Sequence, residues 1–169
     1  MTVKEHLTEN MRRRTLHMTL LDPTKQPPNK AGDIAKTAAS LGTDAIMVGG
    51  STGITQRNLD ETVLSIKSRV KIPVIYFPSG ANAISGHCDA IFFMSMLNSR
   101  NIKMVIREQV AAAPIVSKLG LEMFSMGYVI VEPGMKVGEV GEADLVKRTD
   151  TQTAIAYGLA AQFLGMEHA

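Results

Sequence analysis

A chain of 169 residues is long enough for one domain, here residues 1–169, with a sizeable core. Apolar residues make up 45% and charged residues 20%, the balance of an ordinary soluble globular protein. The formal net charge is +2 and tryptophan is absent, so neither charge nor aromatic stacking favours a nucleic-acid partner.

A lone cysteine, Cys88, rules out an internal disulfide and fits a reducing cytoplasm. The longest apolar runs have the length of strands. None reaches the roughly 18 residues of a membrane span. The start of the chain does not read as a signal peptide, because its basic cluster follows Glu5 and Glu9.

In chain order, five apolar runs are predicted as strands: Leu16 to Leu21, Ala45 to Val48, Pro73 to Phe77, Ala90 to Leu97 and Tyr128 to Val131. Most are continuous rather than alternating, as in parallel strands covered on both faces. Helical periodicity lies between them. Ile34, Ala35, Ala38 and Leu41 form one stripe, with Gly42 as its stop. Leu59, Val63, Ile66 and Val70 form a second, where Asn58 with Glu61 resembles a capping box. Ile102, Val105, Ile106, Val110 and Ala113 form a third, with Pro114 expected to kink that helix or start a new one. The stretch Gly134 to Gly141 reads as a loop or a short β-ribbon. Ala154, Ile155, Gly158 and Leu159 lie on a last helix that Gly165 would end.

Strand and helix alternating in this way predict an α/β fold. No GxGxxG follows the first strand and no GxxxxGK[ST] occurs, which lowers a nucleotide-binding reading. Polar and glycine groups cluster just after strands, at Asp22-Pro23, Gly49-Gly50-Ser51, Pro78-Ser79-Gly80, Asn98-Ser99 and Glu132-Pro133-Gly134. Barrel enzymes keep their chemistry on that edge, so a TIM (β/α)8-type barrel is expected. A complete one takes about 250 residues. About the first five units are expected here, with the barrel incomplete at the C-terminus.

At the barrel mouth, Asp22 could hold Mg2+ through an oxygen ligand, or simply form a turn or cap a helix. Ser51, at the end of a Gly-Gly turn, could complete an oxygen-rich metal site or serve as a cap. Lys25 could meet an anionic substrate or remain a solvated lysine. Asn98 and Ser99 could bond a substrate oxygen, or cap the next helix. His87 and Cys88 lack the spacing of zinc ligands. Cys88 reads as a small buried residue.

Six segments together resemble the geranylgeranylglyceryl phosphate synthase family. They are HMTLLDPTK (His17 to Lys25), GTDAIMVGGSTG (Gly42 to Gly53), VIYFPSG (Val74 to Gly80), DAIFFMSMLNS (Asp89 to Ser99), YVIVEPGMKVGEVGEADLV (Tyr128 to Val146) and AIAYGLAAQFLG (Ala154 to Gly165). The resemblance implies a Mg2+-dependent prenyltransferase on a TIM-like barrel. It would join geranylgeranyl diphosphate to sn-glycerol 1-phosphate, the first ether bond of archaeal membrane lipids.

It further implies that Asp22 and Ser51 are metal ligands, and that Lys25, Asn98 and Ser99 lie on the substrate side. The family's sixth strand, its glutamate expected in catalysis and its glycine-rich phosphate loops have no counterpart after Leu164-Gly165. Activity of these residues alone is therefore in question. The competing expectation is a non-catalytic half-barrel that pairs with another chain or binds prenyl chains. An incomplete barrel exposes strand edges, so a homo-oligomer is expected as well.

Overall fold

The computed structural model describes residues 1–169. Five parallel strands stand side by side in sequence order: β1 (Met18–Leu21), β2 (Ala45–Val48), β3 (Val74–Tyr76), β4 (Ala90–Met96) and β5 (Glu122–Tyr128). The helices are α1 (Val3–Met11), α2 (Pro28–Ser40), α3 (Gln56–Lys67), α4 (Glu108–Leu119), α5 (Met135–Val140) and α6 (Thr151–Phe163). A π-helical turn, Lys103–Arg107, runs directly into α4. The β1–β2 register pairs Leu21 with Val48, which aligns the C-terminal ends of those two strands.

Strands β2, β3 and most of β4 are apolar because both of their faces are covered. On one face, Ile46, Val48, Val74, Tyr76 and Ile91 pack against Ala31 and Ala35 of α2, Leu59, Val63 and Ile66 of α3, and Ala112 and Val116 of α4. On the other, Ala45, Ile75, Ala90, Phe92 and Phe124 close around Leu7 of α1. Helix α1 is thus a plug for the inner face. Thr2 and Glu5 make a capping box at its start. The Glu122 carboxylate at the head of β5 accepts from the amides of Val3 (2.7 Å) and Lys4 (2.8 Å). An anion there complements the positive end of the helix.

Four sequence expectations need correction. The fifth strand is Glu122–Tyr128, not Tyr128 to Val131. Its outward residues Ser125 and Gly127 are small, so it carries no apolar run. A side chain at Gly127 would meet Leu97 at 2.9 Å and Ala161 at 3.0 Å, and only glycine fits. Residues Gly134 to Gly141 hold a short helix, α5, in place of a loop or ribbon. The box that caps α3 pairs Thr55 with Asn58, not Asn58 with Glu61. Finally, Ile102, Ile106 and Val110 are 48–65% exposed, while Ala112 and Val116 carry the buried face of α4. The π turn accommodates one extra residue per turn and shifts the register of the stripe. Pro114 lies within α4 and starts no new helix.

The third unit has no helix. Between β3 and β4 the chain from Phe77 to Asp89 forms turns only, and Ala83, Ile84 and Cys88 fill the helical layer in its place. Gln56 of α3 pins this segment by exchanging two hydrogen bonds with the backbone of Ile84, each 3.1 Å.

At the opposite end of the sheet, Asp44 opens β2 with only 4% exposure. Its carboxylate accepts both Arg14 nitrogens (2.5 and 2.9 Å) and the His17 amide (2.9 Å). Burial pushes the carboxyl up, but those donors outweigh it and hold Asp44 below the usual carboxylate range. A depressed folded value stabilises above the unfolded pKa, and the stabilisation is lost as pH falls through the folded one. The melting temperature should therefore drop on acidification below about pH 5. Asp44→Asn should flatten that drop, and Asp44→Ala should cost about 2 kcal/mol at neutral pH. Circular-dichroism melts across the acid range check this, and an unchanged pH profile in Asp44→Asn would remove Asp44 from the account.

Candidate functional site

The C-terminal strand ends carry an apolar cleft of about 390 Å³. That is within the range of small-molecule sites. It opens beside the helix-free segment, whose Phe77, Pro78, Ser79, Gly80 and Ile84 line it. Strand β3 pairs with β4 only through Ile75 and Tyr76, so Phe92 to Met96 lack a partner on the β3 side. Leu20, Phe77, Phe92, Met94 and Met96 come from the strand ends, Met104 and Ala112 from the π turn and α4, and Val137 and Val140 from α5. Phe77 stacks edge-on against Phe92 (5.8 Å) and Tyr128 (5.7 Å), giving the inner wall a rigid aromatic seam. Burial raises the Tyr128 phenol, so it stays protonated in the cleft at neutral pH.

Polar groups gather at the rim. Gly49, Gly50 and Ser51 from the β2 end line the cleft with Ser79 and Gly80 from the β3 end. Asp22 follows β1 at the same edge. It does not line the cleft, but it lies directly behind Gly50, where a Cβ would fall 2.5 Å from the Asp22 carboxylate. One Asp22 oxygen, Oδ1, accepts from the Thr24 amide (2.9 Å) and hydroxyl (2.8 Å), and these bonds fix the rotamer. The other oxygen makes no hydrogen bond within the protein. No three His, Cys, Asp or Glu side chains converge anywhere, so the protein alone builds no closed metal cage. One carboxylate and one hydroxyl at a glycine turn do suit Mg2+, which keeps its waters and takes oxygens from a substrate phosphate.

Lys25 is exposed on the loop after β1, and only its backbone amide bonds Asp22. Asn98 and Ser99, expected on the substrate side, both bond the backbone of the segment around α5. Asn98 is 3% exposed. Its amide donates to the carbonyls of Ile130 (2.9 Å) and Asp144 (2.7 Å), and its oxygen accepts from the Ile130 amide (3.0 Å). Ser99 donates to the Gly141 carbonyl at 2.5 Å. Both bind backbone, and together they hold the α5 segment over the cleft.

Two cleft residues were missed in the sequence. Glu108 accepts from the Ala81 amide (2.5 Å) and pairs with Lys103 (3.1 Å), tying the helix-free segment to α4. Gln109 donates to the carbonyls of Met94 and Met104. The one available signal was that Glu108 is the sole acidic residue between Ile102 and Leu119. Cys88 is buried, and burial followed by the Asp89 carboxylate pushes its thiol up to about 12, which leaves it inert.

A model of the PcrB family matches residues 8–169. Geranylgeranylglyceryl phosphate synthase of Methanococcoides burtonii is 49% identical over 169 residues, covering 99% of this chain and 68% of its own length. The protein of the same name from Thermoplasma volcanium is 45% identical over 99% of this chain and 66% of its own. The crystal structure of (S)-3-O-geranylgeranylglyceryl phosphate synthase from Thermoplasma acidophilum, in complex with its substrate sn-glycerol-1-phosphate, superposes with a TM-score of 0.94 at 46% identity. That match covers 98% of this chain and 67% of the other. The chain thus spans about two thirds of the length of these relatives.

If Asn98 acts as the clamp for α5, Asn98→Ala strands the buried Ile130 amide and takes a donor from the Asp144 carbonyl, while the Ile130 carbonyl keeps the Val146 amide. The change should cost about 2–3 kcal/mol. Amide hydrogen exchange should quicken across 130–146 and stay unchanged in α2 and α3. Uniform quickening over the whole chain would show that Asn98 serves the fold in general and not this segment.

Proposed function

Since the chain belongs to the PcrB family, we propose that it takes part in the transfer of a geranylgeranyl group from its diphosphate to sn-glycerol 1-phosphate, in prenyl-ether lipid synthesis. The observation that supports this best is the juxtaposition of an apolar cleft with the Asp22 carboxylate and the Gly49-Gly50-Ser51 turn at its rim. A prenyl diphosphate has the same polarity, with a long hydrocarbon at one end and a dense anion at the other.

In the proposed reaction the glycerol hydroxyl oxygen bonds to the allylic carbon, the bond from that carbon to diphosphate breaks, and the hydroxyl proton is released. Asp22 and Ser51 would hold Mg2+ at the rim, and the ion when bound would offset the charge growing on the leaving diphosphate. Asp22 alone would repel that diphosphate, since both are anionic. The glycine turn leaves room for phosphate oxygens beside the backbone. The cleft desolvates the isoprenoid and holds its reactive end toward the rim, and Lys25 is near enough in sequence to Asp22 to meet the anion as it arrives. The acceptor phosphate is, on this proposal, held by the portion of the relatives outside the aligned two thirds.

Thermal-shift measurements test the donor site. Mg2+ and geranylgeranyl diphosphate together should raise the melting temperature by more than the sum of their separate effects, because each enhances binding of the other. Asp22→Ala should abolish the excess. Gly50→Ala should reduce it, because the added methyl displaces the carboxylate. A simple sum in the unaltered chain, or an unchanged excess in Asp22→Ala, would refute the assignment of Asp22 to the metal.

A further inference from the structure

The helical rod from Ile102 through Leu119 has two working faces. Met104, Glu108, Gln109 and Ala112 line the cleft. The opposite face meets water, yet Ile102 is 50%, Ile106 48% and Val110 65% exposed. Ala111, Ala113 and Pro114 are exposed beside them. The exposed charges on this rod are Lys103, Arg107 and Lys118, all positive. Its one acid, Glu108, is turned inward, 19% exposed and engaged with the Ala81 amide and Lys103. No carboxylate lies within ion-pair distance of Arg107 or Lys118.

We propose that this face docks on the surface of an anionic lipid bilayer. An exposed helix that combines aliphatic side chains with unpaired cations, and turns no acid outward, suits the interface between headgroups and acyl chains. Charge complementarity selects the occupant. A second copy of the chain meeting this face symmetrically would bring Arg107 and Lys118 against like charges, which disfavours self-association. Further β/α units would add beyond β5 or beyond β1, the two ends of the strand order, whereas α4 packs on β4 inside the sheet. The exposed Ile155, Leu159 and Phe163 of α6, which packs on β5 at the end of the sheet, are open to that simpler explanation. The α4 face is not. Docking would bring the cleft, on the other side of the same rod, close to the phase into which long prenyl chains partition.

The test is flotation of the 169-residue chain with vesicles of phosphatidylglycerol and phosphatidylcholine, against phosphatidylcholine alone, at low and high salt. Binding should require the anionic lipid and weaken with salt. Arg107→Ala and Lys118→Ala should each lower partitioning about fivefold. Arg12→Ala, in the other basic cluster, should leave it unchanged. The chain lacks tryptophan, so Val110→Trp supplies a single reporter whose emission should shift to the blue on anionic vesicles only. Equal binding to neutral vesicles, or a loss that follows Arg12 and not Arg107 and Lys118, overturns the proposal. So does concentration-dependent dimerisation, seen by sedimentation, that Val110→Glu abolishes, since the face would then belong to a second copy. No readout depends on prenyl transfer, so this proposal and the enzymatic one fail independently.

Discussion

A parallel sheet buries its strands only if both faces are covered, and the architecture follows from how this chain meets that demand. Helices α2, α3 and α4 cover the outer face, and α1 with the aromatic seam covers the inner one. Between β3 and β4 the outer cover is not a helix but the turns of residues 77–89. Turns fill less of the layer than a helix would, and the volume they leave opens as the cleft. The site is therefore not carved into a finished scaffold. It is the place where the scaffold's repeating rule is broken.

Much of this was legible in the residues. Double coverage produces continuous apolar runs, so β1 to β4 announced themselves, and so did the glycine stops after α2 and α6, where Gly42 and Gly165 take positive φ. Strand β5 did not, because close packing of Ala161 against Gly127 demands the absence of side chains, and periodicity cannot register what is missing. The α4 stripe misled for a different reason. Apolar spacing identifies a face, but it does not say whether the face looks inward, and a π turn displaces the register without leaving a mark in composition.

The candidate site was readable by position and not by role. Every residue expected at the mouth is at the C-terminal edge of the sheet, because parallel strands bring all their ends together. Asp22 keeps one carboxylate oxygen free, which suits an incoming ligand. Asn98 spends its whole amide on backbone, which suits a clamp. The two look alike in sequence, as polar residues just past a strand, and only the count of satisfied hydrogen bonds separates them.

The Glu122 carboxylate that receives the α1 amides lies 118 and 119 residues away along the chain. A nine-residue helix is marginal alone in water. Helix α1 leaves the ribosome ahead of all five strands, yet its anchor leaves with β5. At usual translation speeds that delay is roughly ten seconds. Through that interval Ala45, Ile75, Ala90 and Phe92 emerge with no plug to cover them. The inner face must pass through synthesis as exposed apolar surface, so the order of the chain itself opens a window in which this face is prone to wrong association.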